Sequence, residues 1–375
     1  MDKNTRLYYK SALDLKFHLM KLERQIAGFE VTLGKHRYFF RGGETPFNSG
    51  SSVGIASNKY CMNKILETAG LPMPRATAFS AHQFKTQAID SLIKDLSFPL
   101  VVKPMEGTSS GEDVRCNINT LTQLKTYMET CYKRYDFLSV EEFHGGLNTY
   151  RVLIFYNKVI GVVERVPARV IGDGIHSIHE LIKRHNDERE RDKDKDINSP
   201  GYIVTVGPIK IDEEVYTRLD ELQLTLDSVP KDKEIIVLCY TCNSSRGGTL
   251  KSLGKKICKE NARLLCRAAN VLGLNIVGFD VVCEDILVPI EQSRGVIIEA
   301  NHNPDIVIHE HPMSGIQTPV TKKILRRLIL KHPLTYCRGL TKHQSTAFYI
   351  RVSFVLLGLM AFWQGFLAIL ASNSQ

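Results

Sequence analysis

Residues 295–304 read GVIIEANHNP. Val296, Ile297 and Ile298 are residues a buried strand favours. Glu299 and Asn301 then break the apolar run, with only Ala300 between them. Side chains two apart on a strand leave from one face, so two oxygen-bearing groups aim at one spot. A second apolar run, IVGFDVV at 276–282, carries Asp280. A single acid in a strand is most often an edge or cap residue. Asp280, Glu299 and Asn301 together are a set of hard oxygen ligands. Such a set suits Mg²⁺, which takes one or two carboxylates and keeps positions open for phosphate oxygens.

Other stretches supply groups for an anion. Lys103 closes the buried run FPLVVKP and precedes EGTSSG. A loop of small residues can offer backbone N–H groups and hydroxyls to phosphate. It is not a Walker loop, because no GK[ST] follows. Lys59 opens a helix and on its own reads as a surface lysine. VEEF at 140–143 reads equally as an amphipathic strand or as a hinge whose backbone meets a purine edge.

Strands and helices alternate, with both hairpins and crossovers, which predicts a mixed α/β fold. Residues 8–27 read as an amphipathic helix, 29–40 as one alternating strand and 41–52 as a loop. A helix follows, with Ser57 as its cap and Gly70 as its stop. A hairpin turns at Asn157–Lys158. Residues 183–198 mix both charge signs densely and read as a solvated helix end.

The formal charge of +9 suits an anionic ligand or an acidic membrane face. Basic residues are spread along the chain without interleaved aromatics, so nucleic acid is not an expected partner. Nine Cys at irregular spacing, without a secretory signal, point to a reduced, cytosolic setting. Cys239 and Cys242 in CYTC lack the second pair a zinc site needs. Residues 352–371, VSFVLLGLMAFWQGFLAILA, carry no charge and match the apolar core of a bilayer. Arg338, Lys342 and Arg351 precede them, which places the body on the cytoplasmic side. A hydrophobic helix packed on the body or on a partner is the other reading of that run.

Taken in order, SNKYCMNKILETAGLPMP, FPLVVKPMEGTSSG, VEEF, VGFDVV and IIEANHNP resemble the ATP-grasp ligases. RVPARVIGDGIHSIHELIKRHN, LQLTLDSVP, NSSRGGT and EANHNPDIVIHEHP are similar to the ATP-grasp parts of cyanophycin synthetase and of the bifunctional glutathione synthetase. The resemblance implies two lobes clasping ATP. It covers roughly 55–330, and with the hydropathy of the tail the chain is expected to divide into an N-terminal segment 1–54, an ATP-grasp domain 55–332, a basic linker 333–351 and a membrane helix 352–371. The lid lobe would span about 75–145 and an insertion about 166–235.

The resemblance also implies roles. Lys59 and Lys103 would contact ATP phosphates and the purine. Gly107, Ser109, Ser110 and Gly111 would form the lid over the phosphates. Glu141, Glu142 and Phe143 would form the adenine hinge. Asp280, Glu299 and Asn301 would hold one or two Mg²⁺ ions, or Mn²⁺. Arg151, Arg165 and Gly172–Asp173–Gly174 match positions beside the acceptor.

Three departures stand out. Asn148 and Thr149 occupy the place of an acidic residue that binds ribose. Cys239 and Tyr240 replace paired arginines, and Arg246 in SSRGG is the residue expected to return that charge to the phosphoryl group. The large partner domains of both relatives are absent from this sequence. The expected activity is amide formation through an acylphosphate, with an amino acid or short peptide as substrate. The competing reading is a membrane-tethered ATP-binding module without ligase activity.

Overall fold

The computed structural model describes residues 1–105, 113–191, 202, 204, 206–342 and 344–372. The chain divides into two compact units, Met1–Gly42 with Thr321–Gln375, and Gly43–Val320.

In the first unit, α1 (Lys3–Asp14) is capped by Asp2, whose carboxylate accepts the Thr5 N–H. Lys16, at φ +58°, then turns the chain out of the helix. The expected helix over 8–27 therefore ends early, and β1 (His18–Lys21) takes its second half. The expected single strand is a hairpin of β2 (Phe29–Leu33) and β3 (His36–Phe40). Gly34, at φ +63°, makes the turn, and Phe29 comes opposite Phe40. Their rings stack at 5.1 Å.

The second unit opens with α2 (Gly50–Ser57) and α3 (Lys59–Thr68). Ser57 ends α2, and the cap of α3 is Asn58, whose side chain accepts the Cys61 N–H. Next come β4 (Ala76–Ser80), α4 (Ala81–Thr86), α5 (Ile89–Leu92), β5 (Leu100–Pro104), β6 (Arg115–Ile118), α6 (Leu121–Cys131) and β7 (Phe137–Glu142). They form a four-stranded sheet in the order β4-β7-β5-β6. Leu124, Met128 and Cys131 recur at helical spacing and bury α6 against Leu100, Val102, Leu138 and Val140.

β8 (Asn148–Phe155) and β9 (Lys158–Val166) form a hairpin. Tyr156 and Asn157 take the left-handed conformations that its turn requires. Next come β10 (Arg169–Ile171), α7 (Ile178–Arg191), α8 (Glu213–Glu221) and β11 (Ile235–Val237), a segment outside the larger sheet. It has its own core of Ala168, Ile182, Leu219 and Leu238. β12 (Thr249–Gly254), α9 (Lys259–Val271), β13 (Ile276–Cys283), β14 (Val296–Asn301), α10 (Val307–Glu310) and β15 (Ser314–Gly315) complete the unit.

The larger sheet runs β14-β13-β8-β9-β12-β15. One of its faces carries Phe279, Val281, Val152 and Val162, which share a core with Met62 and Leu66 of α3 and Leu265 and Ala269 of α9. Alternation sends Asp280 and Arg151 to the other face. The candidate site lies there.

The chain ends in α11 (Val320–Lys331), α12 (Pro333–Lys342) and α13 (Gln344–Ser372). Val352, Phe354, Leu357, Met360 and Trp363 of α13 are exposed. Of the expected membrane span, the side chains at 366–371 lie outside the described residues. Among the described residues no helix is long and apolar enough to cross a membrane.

Candidate active site

The sheet register assembles the acidic centre. Asp280 sits opposite Glu299 on β14 and opposite Arg151 on β8. Arg151 donates its Nε–H to Asp280 Oδ1 and an Nη2–H to Oδ2 at 3.0 Å. Arg165 donates an Nη1–H to Oδ2 at 2.8 Å. Asp280 is 3% exposed and Arg151 7%, so the ion pair stands almost free of solvent. Burial alone would raise the Asp280 carboxyl. The two guanidiniums beside it, Arg151 and Arg165, outweigh that and hold it below the usual carboxylate range. Gly278 makes room for this pair, because a Cβ there would come 2.9 Å from Arg151 Cδ. Asn301 lies opposite Gly278 and donates its amide to the Gly278 carbonyl at 3.3 Å. Asp280, Glu299 and Asn301 are thus neighbours on two paired strands.

Lys103 lies on β5 opposite Ser139 of β7. Its Nζ is 2.8 Å from Glu141 Oε2, and the Ser139 hydroxyl donates to Glu141 Oε1 at 3.0 Å. Burial lowers the Lys59 ammonium, with Lys103 adding repulsion, while Glu299 and Glu141 oppose the shift. Lys59 therefore senses both Glu299 on the large sheet and the Lys103–Glu141 pair on the small one. The two sheets meet electrostatically at this lysine. Gly107, Ser109, Ser110 and Gly111 lie outside the described residues.

In the segment expected to form the hinge, Glu141 spends its carboxylate on Lys103. Glu142 donates its N–H to the Arg75 carbonyl at 3.0 Å, and Phe143 to that of Pro99 at 2.8 Å. The Glu142 carboxylate accepts the Ser97 N–H at 2.9 Å. His144 follows, with Nε2 buried and without a hydrogen-bond partner among the described residues. Burial lowers its pKa. Sequence reading stopped at Phe143, because a lone His carries no pattern.

No family model matches the chain. It is 33% identical over 286 residues to the cyanophycin synthetase of Crocosphaera subtropica, across 74% of this chain and 31% of that protein. It is 29% identical over 332 residues to the glutathione biosynthesis bifunctional protein of Listeria monocytogenes, across 87% of this chain and 41% of that one. Its fold matches the crystal structure of a bifunctional glutathione synthetase from Pasteurella multocida with a TM-score of 0.60 and 23% identity, over 88% of this chain and 44% of that chain. The chain is thus similar in sequence to cyanophycin synthetase and to the bifunctional glutathione biosynthesis protein, and similar in fold to a bifunctional glutathione synthetase. It spans less than half the length of each of these relatives.

The positions where the sequence departs from the resemblance lie as follows. Tyr240 meets the Phe143 ring edge-on at 5.2 Å. Its hydroxyl donates to Glu221 Oε2 and accepts from Asn117 at 2.9 Å and Arg218 at 3.0 Å. The Arg218 guanidinium also lies over the Tyr240 ring, 4.9 Å from its centroid. A guanidinium thus stands beside position 240, carried by α8. No sequence pattern pointed to Arg218. Arg246 bonds both Asp212 and Glu214, so its charge is neutralised locally. Cys239 and Cys242 are free thiols, and burial pushes Cys239 up to about 12. Asp173 accepts the N–H groups of Ile175 and His176 and pairs with the His176 ring, closing its own turn.

Proposed function

We propose that this chain is an ATP-grasp enzyme, an ATP-dependent carboxylate–amine ligase that forms an amide through an acylphosphate. One observation carries the reading. The adjacent carboxylates Asp280 and Glu299 share a sheet face with Arg151 and Arg165, and Glu299 lies within electrostatic reach of Lys59. Such a centre balances anionic phosphates against cations and a divalent ion.

The donor chemistry fits a hard divalent cation. Asp280 is buried and the adjacent Glu299 half-buried, and Asn301 adds an amide beside them. One or two Mg²⁺ ions, or Mn²⁺, bound there would neutralise phosphate charge and hold the oxygens in line for transfer. Lys59 and Lys103 bind the nucleotide phosphates in this reading. The resemblance gives Gly107, Ser109, Ser110 and Gly111 the role of the lid over them. Glu141, Glu142 and Phe143 line the purine, with His144 beside them.

Arg151 and Arg165 orient the substrate carboxylate against the γ-phosphorus. A carboxylate oxygen forms the new P–O bond, ADP leaves, and an acylphosphate results. An amine then attacks the acyl carbon, and phosphate departs. Positioning and charge neutralisation carry the reaction, so no protein nucleophile is required. Arg246 would join the phosphoryl group only by leaving Asp212 and Glu214. Amino acids or short peptides with a free carboxylate are the substrates this reading favours, as the names of the relatives suggest.

We also infer that residues 352–371 lie in a bilayer with the body in the cytoplasm. The described apolar side chains of α13, from Phe348 to Trp363, are exposed, which water would penalise and lipid would not. A screen of ADP release with ATP, Mg²⁺ and pairs of amino acids and dipeptides tests the ligase reading. Release that requires both a carboxylate and an amine supports it.

A further inference from the structure

Gly161 lies within β9, where glycine is disfavoured. A Cβ built on it would meet His309 Nδ1 at 2.4 Å and Cε1 at 2.9 Å. The imidazole of His309 thus fills the space a side chain would take. It is fully buried, and neither Nδ1 nor Nε2 has a hydrogen-bond partner among the described residues. An unpartnered buried polar group costs stability, and an apolar residue of similar size would avoid that cost. A costly side chain in a purpose-made space, next to a site, is a candidate for function.

Register places the ring. Gly161 pairs with Leu153, and Val163 pairs with Arg151. Residues two apart share a face. The space at Gly161 therefore opens on the face that carries Arg151, one step along the ladder. The Arg151 charge reaches the ring, adding to burial in keeping it neutral. A neutral imidazole has an acceptor nitrogen to offer.

The reason to need an acceptor lies at Asp280. Its Oδ2 takes donors from Arg151 and Arg165, and its Oδ1 takes Arg151 Nε–H. Each oxygen has two lone pairs, so both on Oδ2 and one on Oδ1 are held by guanidinium N–H groups. A cation that binds Oδ2 must displace a donor. A displaced Arg151 N–H would stay buried and need a partner.

We propose that His309 is a positioning residue of the nucleotide–metal site, accepting a guanidinium N–H of Arg151 when Asp280 takes a divalent cation. This rests on the nucleotide reading above.

The test is Mn²⁺ titration of the full chain, followed by electron paramagnetic resonance, with the β,γ-imido analogue of ATP. His309→Leu should weaken Mn²⁺ binding about tenfold, the usual scale for a residue behind the ligands. Metal-free nucleotide affinity should not change, and the melting temperature should not fall. His309→Asn keeps an acceptor oxygen and should restore most of the Mn²⁺ affinity. Gly161→Ala, which displaces the ring, should reproduce the loss if the Leu variant does not fold. Wild-type Mn²⁺ affinity in His309→Leu or in Gly161→Ala overturns the inference and leaves the nucleotide reading standing. No Mn²⁺–nucleotide binding by the wild type overturns that reading, and the inference with it.

Discussion

Lys103 Nζ lies 2.8 Å from Glu141 Oε2, with the two side chains 11% and 2% exposed. Removing one member of a buried pair strands the other charge. Glu141→Leu should therefore destabilise the fold by about 3–5 kcal/mol. The double variant Lys103→Met/Glu141→Leu should recover much of that loss. Urea unfolding of the three chains measures it. A double variant no more stable than Glu141→Leu would show that the pair is not coupled.

Much of this centre was legible in the sequence. Strand alternation alone put Glu299 and Asn301 on one face, and their strand pairs with the one carrying Asp280. What alternation could not show was the company Asp280 keeps. Arg151 is 129 positions away in sequence, and only the β8–β13 register brings it opposite. The same limit hid Arg218, which reaches Tyr240 from a separate helix. Local turns were missed where one residue tips the balance. Gly34 folds the alternating run 29–40 into a hairpin, and Asn58 takes the cap expected of Ser57.

His309 gives the stability a defined pH dependence. Burial, with Arg151 adding to it, holds its ring at about 3. An unfolded His titrates near about 6.5. Between those values the unfolded chain binds a proton the folded chain refuses, so stability falls as the pH drops. His309→Leu removes that dependence. From pH 7 to 5 the variant should gain on the wild type by about 1 kcal/mol or more, at up to ~1.4 kcal/mol per pH unit below the unfolded pKa. Parallel stability curves for the two chains would contradict a buried neutral His309.

Arg246 must exchange Asp212 and Glu214 for a phosphoryl group if it takes part in transfer. Arg246→Ala should then reduce turnover far more than ATP affinity, the pattern of an interaction made in the transition state. Steady-state kinetics alongside nucleotide titration separate the two effects. Equal turnover in both chains would leave Arg246 as a structural partner of Asp212 and Glu214.

The C-terminal helix makes a separate expectation. Deleting everything after Lys342 should yield a chain that stays in the supernatant without detergent and still binds ATP. The full chain should partition with membranes. A full chain that is monomeric without detergent would remove the bilayer from the account.

The central claim is that Asp280 and Glu299 form the metal-dependent centre of an ATP-dependent ligase. Its most direct test is ADP release by the full chain and by Glu299→Gln, with ATP, Mg²⁺ and the amino-acid and dipeptide pairs. The substitution keeps the size and removes a carboxylate from a hard-cation site. Wild type should release ADP only with both substrates present, and Glu299→Gln should be slower by at least about tenfold, or ~1.4 kcal/mol of barrier. Equal rates in the two folded chains, or bound ATP without ADP release by the wild type across the screen, would contradict the account.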